Sequence, residues 1–439
     1  MQARPFVSYP NLEQYKKQAK DLSKASADPQ ALHDWAAQWV ACYLNEEAET
    51  QARLRGITVT PPLRELAQRE EITRVERVLQ SIKLPAKLTD AQFFIARAHG
   101  FESWLKFIRQ VQALQRRDSP NARFEAAADA IVSGDIQTLR RLLRQDPSLI
   151  TARSQRSHNA TLLHYVAANG IEGFRQKTPK NIVEITKLLL DSGADIEATS
   201  NAYGGPSTVL GLAATSVHPL RASVDVPLLE LLLDRGASIE SPGGAGNDQS
   251  AILGCLTNGR GNAAALLAAR GARLNLETAA GAGRMDVVQS FFGEDGKLKP
   301  PATQRQLQRG FLWACEFGHL EIVKLLLDRG ADLRDQAGTS ETGLHWAVVG
   351  RQLPVLQFLL QRGAPLEELN AFGGTALGQA GWCFENAPDI DFYPIFQAPL
   401  AAGAKFEGAW LKWLDAVPTR SQAEKSRLAD LLRRYGANT

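Results

Sequence analysis

The sequence predicts an all-α-dominated solenoid of paired helices with short β-hairpin loops, preceded by a small helical domain. Three observations carry that expectation. The ending Leu-Leu-Leu-Asp-x-Gly-Ala occurs at 188–194, 231–237 and 325–331, and weaker Gly-Ala endings stand at 271–272, 363–364, 403–404 and 436–437. Glycine-to-glycine steps of 33, 40 and 33 follow Gly330, a period that marks a repeat array. Residues 1–118 lack the ending, yet their apolar residues keep helical spacing.

The helices before the array can be placed in order. Asn11 stands at an N-cap position with Gln14 three residues on, and Leu12, Tyr15, Ala19 and Leu22 mark one face of the helix it opens. A second helix, about 31–49, carries Trp35, Trp39 and Tyr43 at four-residue steps, an aromatic stripe that reads as core. A third follows Pro61-Pro62 over about 63–82. Asp90 is expected to cap a fourth, 91–99, and Ser103 a fifth from Trp104. These helices are expected to dock on the first repeat and shield its open end.

Residues 119–439 read as about eight or nine units, counting degenerate and capping repeats, with 126–149 as the opening cap. In the clearest unit Ile322, Val323, Leu325, Leu326 and Leu327 crowd one broad helical face that must be buried. Gly330 follows the last turn, where a left-handed residue satisfies free carbonyls without a Cβ penalty. The upstream helix is short and rich in small residues, as at 163–168. One unit of about 33 residues cannot bury both helices, but a stack can. The long interval from Gly271 to Gly330 hides a degraded unit at 279–292. Three units carry extra residues between their two helices, at about 171–181, 216–226 and 383–396. Such insertions are either tolerated surface loops or part of a binding edge.

The stretches Thr161-Leu162-Leu163-His164 and Thr342-Gly343-Leu344-His345 resemble the Thr-Pro-Leu-His signature of the ankyrin repeat, without its proline. Thr208-Val209-Leu210-Gly211 and Thr375-Ala376-Leu377-Gly378 lose the histidine too. The likeness covers about 123–439 and implies an ankyrin-repeat solenoid. It implies that Thr161 caps its helix and bonds His164, and that Thr342 does so with His345. It also implies binding through a concave face built from hairpin tips and the exposed ends of first helices. Mapped onto this chain, those positions hold four aromatics, Tyr203, Phe317, Phe372 and Trp382, which become the candidate partner-binding residues. Residues 88–104 and 9–22 are similar to a segment that precedes ankyrin repeats in many bacterial proteins, which implies a bacterial source.

Composition narrows the function classes. Fifty basic residues stand against 47 acidic ones, a net charge of +3, and neither side of residue 118 holds a strong basic excess. No apolar run suits a secretory signal or a membrane span. Cys42, Cys255, Cys315 and Cys383 are too far apart in sequence for a Cys-x-x-Cys site, and so few cysteines suit a reducing, cytoplasmic setting. No His-Glu-x-x-His, Gly-x-Ser-x-Gly or Gly-Lys-Ser/Thr motif is present. The glycine-rich stretch 243–248 reads as a turn, and Asp389 and Asp391 as solvated carboxylates. The expectation is a monomeric, non-catalytic scaffold or adaptor that binds another protein and needs no cofactor or metal. The alternative is a nucleic-acid-binding regulator. In it Ile95-Ala96-x-x-x-Gly100-Phe101-x-Ser103 forms a helix-turn-helix-like segment near 89–117, Arg97, Lys106, Arg109, Arg116 and Arg117 meet phosphates, and the array senses a partner. Against it, Trp104, Leu105, Phe107 and Ile108 read as core.

Overall fold

The structure is a computed structural model that describes residues 10–40, 72–73, 75–79, 84–116, 118–240, 250–336, 341–387, 390–406 and 409–436. The expectations for Cys42, Tyr43, most of the third helix, Arg117, the 243–248 turn and Asp389 lie outside these residues. The chain is helix-dominated and divides into two compact units, Met1–Gly254 and Cys255–Thr439.

In the first unit, helix Leu12–Ala25 is capped by Asn11, whose side chain accepts from the Glu13 N–H at 2.9 Å. Tyr15, Ala19 and Leu22 face a core shared with Trp39, Phe94, Phe101 and Phe107. The aromatic stripe lies at that core, Trp35 stacked on Trp39 at 5.0 Å. Helix Leu88–Ala98 starts one turn earlier than expected. Asp90 sits at its third position and accepts from the Lys87 N–H at 3.0 Å instead of capping. Ser103 does cap Trp104–Leu114, through the Lys106 N–H. On that helix Phe107 is buried as expected, but Leu105 faces outward at 58% exposure.

Helix pairs follow. Pro120–Ser133 and Ile136–Gln145 form the opening pair, then Leu162–Ala167 with Ile182–Asp191, and Val209–Thr215 with Asp225–Asp234. Leu162–Ala167 is a 3-10 helix, stopped at Ala168, whose φ of 49° is left-handed. The second unit includes Leu276–Gly281 with Met285–Ser290, Gln304–Phe317 with Leu320–Asp328, and Gly343–Val349 with Leu353–Gln361. Ala376–Asn386 with Tyr393–Ala401 and Ala409–Ala416 with Gln422–Arg434 follow, and Gly261–Ala269 precedes them all in this unit. Gly330 adopts φ 96°, and the next N–H, of Ala331, reaches the Leu326 carbonyl at 2.9 Å. Nothing lies within 4 Å of where its Cβ would stand, so the dihedral, not space, calls for glycine.

The threonine–histidine pairs tie one repeat to the next. His164 Nδ1 accepts from the Thr161 hydroxyl at 2.8 Å, and its Nε2 donates to the Ser207 carbonyl of the following hairpin at 3.3 Å. His345 repeats this with Thr342 at 2.8 Å and the Gly374 carbonyl at 3.1 Å. Burial lowers the His164 pKa to about 4, which keeps Nδ1 an acceptor at neutral pH.

Two of the three insertions fold inward around buried arginines. In 171–181, Glu172 and Arg175 join Glu125 of the opening pair and Arg156 of the preceding loop. Arg156 Nε lies 2.5 Å from Glu172 Oε1, and Arg175 Nη1 lies 2.6 Å from Glu125 Oε2. Tyr165 Oη donates to Glu172 as well. Arg156 Nη1 also donates to the His99 carbonyl at 2.6 Å, and Gln110 Nε2 to Glu125 at 3.1 Å. One cluster thus binds the N-terminal helices to the first repeats. In 383–396, Arg420 donates to the carbonyls of Phe384 (2.6 Å), Ala387 (2.6 Å) and Ile390 (3.0 Å), with its guanidinium 4.1 Å from the Phe384 ring centre. Asp391 pairs with Arg427 at 3.1 Å.

Burial alone would raise the Glu125 and Glu172 carboxyls, but Arg156 and Arg175 hold both below the ordinary glutamate value. Their contribution is therefore present at neutral pH and lost only as pH falls below the usual carboxylate range. Arg156→Met leaves the buried Glu125 and Glu172 carboxylates to share Arg175 as their remaining arginine. Urea unfolding of the full chain at pH 7 should show the first unit destabilised by about 3–5 kcal/mol. A loss under about 1 kcal/mol would mean that the cluster regains water and is not the clamp described.

Candidate functional site

Phe372 and Trp382 are held out of the core by local structure. The chain turns at 370–374, where Asn370 Oδ1 accepts from the N–H groups of Phe372 (3.0 Å) and Gly374 (2.9 Å). Gly373 takes φ 77°, and this turn lifts Phe372 to 90% exposure. Thr375 then caps helix Ala376–Asn386 through the Gly378 N–H at 3.2 Å. Leu377, Ala380, Gly381 and Phe384 take its buried face, leaving Trp382 on the open edge at 61% exposure.

The two rings border one groove of about 570 Å³, lined also by Glu341, Trp346, Val349, Asn370, Gly378 and Gln379. A second hollow of about 390 Å³ shares Gly378 and Trp382 and continues over Glu385, Trp410 and Trp413. Its floor is Gly381, where a Cβ would meet the Trp410 and Trp413 rings at 3.5 Å. Among the described residues, the charged side chains in the two linings are Glu341 and Glu385.

The other two candidate aromatics stand apart. Phe317 is half-buried, stacked on Trp313 at 6.5 Å, with Gly261 against its ring. It lines neither hollow. Tyr203 belongs to the first unit, 58% exposed at φ 56°, with its hydroxyl donating to Asn169 Oδ1. Sequence reasoning missed Trp346, Trp410, Trp413 and the two glutamates. Trp346, three residues before Val349 in a first helix, was the one with a readable position.

Beside the groove the Glu316 carboxyl is 6% exposed, and its Oε2 has no hydrogen-bond partner. Burial, reinforced by the Glu341 charge and opposed by Arg260, raises its pKa to about 8. Burial also raises Glu341. Among the described residues no group of three His, Cys, Asp or Glu side chains is placed to hold a metal. No described helix is long and apolar enough to cross a membrane.

The Glu316 carboxyl carries a sign that can be checked. It titrates near 4.5 unfolded and near 8 folded, so between those values the native state holds the extra proton. Stability must therefore fall as pH rises through that window. Glu316→Gln removes the fall, so the variant should exceed the parent by up to about 4 kcal/mol above pH 8 and lose that advantage near pH 4. Thermal midpoints recorded across this range that run parallel for the two proteins would refute the assignment.

Residues 276–372 match the family profile described as Ankyrin repeats (3 copies). No curated protein matches the chain. Among solved structures, the human ASB11 ankyrin repeat domain is similar at 21% identity over 64% of this chain and 99% of that one, TM-score 0.34. The ankyrin repeat domain of Bcl-3, a member of the IkappaB protein family, is similar at 20% identity over 58% and 93%, TM-score 0.28. With the stacked helix pairs and threonine–histidine caps described above, the profile match shows that residues 276–372 are ankyrin repeats.

Proposed function

We propose that this chain is a non-catalytic scaffold or adaptor, a cytoplasmic monomer that binds another protein along the open edge of its ankyrin repeats. Stacked repeats offer extended, rigid surfaces, and such surfaces suit protein partners. The observation that carries the reading is the pairing of Phe372 and Trp382, 90% and 61% exposed, across one groove built from successive repeats. An isolated exposed aromatic needs no explanation, but two converging on one hollow form a patch of the kind interfaces bury. Covering the exposed part of both rings contributes about 3 kcal/mol or more through apolar area alone. Phe372 and Trp382 are the proposed anchors. Phe317, half-covered, offers a contact away from both hollows, and Tyr203 a separate one on the first unit.

Partner capture from source-cell lysate tests this. Phe372→Ala with Trp382→Ala should leave the circular dichroism spectrum intact and weaken binding of the captured partner at least about 30-fold, the sum expected of two modest anchors. Undiminished capture by the double variant would place binding elsewhere.

A further inference from the structure

The composition of the two hollows points to the chemistry of what enters them, an inference that rests on the docking reading and deepens it. We propose that the groove receives a protein segment bearing an arginine, whose guanidinium lies among Trp346, Phe372 and Trp382 and faces Glu341, with Glu385 serving the adjoining hollow. Among the described residues, five aromatic side chains and two carboxylates line the hollows, and no Lys, Arg or His does. Indole faces carry negative potential and attract cations, and they do so most strongly where water is partly excluded. Aromatic faces set beside two negative charges are complementary to a cation.

The choice of a guanidinium follows from what this chain does with its own arginines. Arg427 lies 4.0 Å from the Tyr393 ring centre while its Nη1 reaches the Asp391 carboxylate at 3.1 Å. That is the proposed arrangement within one molecule. Arg420 lies 4.1 Å from the Phe384 ring, and Arg362 is 5.5 Å from Phe358. A planar, weakly hydrated guanidinium stacks on rings in a way a compact ammonium does not.

A second feature lies next to the lining. Glu316, 94% buried by its 6% exposure, keeps Oε2 without a hydrogen-bond partner, and the Glu341 charge acts on it. Two carboxyls are thus held in poorly solvated positions at this edge. An arriving cation lowers the cost of keeping Glu341 ionised. The two hollows join at Gly378 and Trp382, so the length available suits an extended segment with apolar neighbours over Trp410 and Trp413.

The test is selection of twelve-residue random peptides displayed against the full-length protein, with Trp382→Ala as the counter-target. Sequences that depend on Trp382 should show arginine at one aligned position at least threefold above the starting library. Glu341→Gln with Glu385→Gln should abolish that excess, keep the apolar preferences, and raise the Kd of the best synthetic peptide tenfold or more. Trp382-dependent sequences without an arginine excess overturn the inference while leaving the docking reading intact. Enriched sequences indifferent to Trp382 overturn both. If no sequence is enriched, the arginine inference fails, and partner capture alone decides the docking reading.

Discussion

Successive first helices of the second unit approach so closely at particular positions that only glycine fits there. A Cβ on Gly350 would stand 1.7 Å from the Glu316 carbonyl oxygen, and one on Gly343 would stand 2.8 Å from the Phe311 ring. A Cβ on Gly310 would approach the Leu276 carbonyl oxygen at 3.3 Å. This spacing lets each pair bury the next pair's apolar stripe, and without it a unit of this size has no core. It also drives large side chains to the edge of the stack. Trp346 and Trp382 stand on that edge, and the groove between them follows from the stacking.

Inserted residues create a different problem, because loop carbonyls that leave water must find donors. This chain solves it with arginine. A guanidinium has five donors in a fixed fork, so Arg420 alone serves three carbonyls of the 383–396 insertion. In the 171–181 insertion, Arg175 serves carboxylates instead, and Arg156 links that cluster to the carbonyl of His99. Such buried ion clusters contribute little net energy relative to apolar packing, but breaking one is costly. Their effect here is to fix where an insertion lies. The insertions read in sequence as surface loops or a binding edge, and two of them are instead partly core.

Legibility differed sharply between the repeats and the site. Gly-Ala endings, apolar faces and threonine–histidine pairs are short-range patterns, and each survived into the structure because each describes contacts within one repeat or with its neighbour. Asp90 shows the limit of such reading, since a carboxylate at the third position and one at the cap leave similar local signatures. The candidate aromatics were chosen by position in a repeat, which says where a side chain starts but not what covers it. Phe317 occupies a position equivalent in kind to that of Trp382, yet Trp313 and Gly261 half-cover it.

By itself the sequence determined the fold class, the order of helix pairs and the glycine that follows most second helices. Those depend on periodicity and on backbone dihedrals, which neighbouring residues set. Only the tertiary structure decided that Glu172 and Arg175 of the 171–181 insertion are buried, that Phe372 and Trp382 share a groove with Trp346, and that Glu341 lines it while Glu385 lines the adjoining hollow. Those facts rest on residues brought together from different repeats, and no local pattern records which side chain will meet which across a stack.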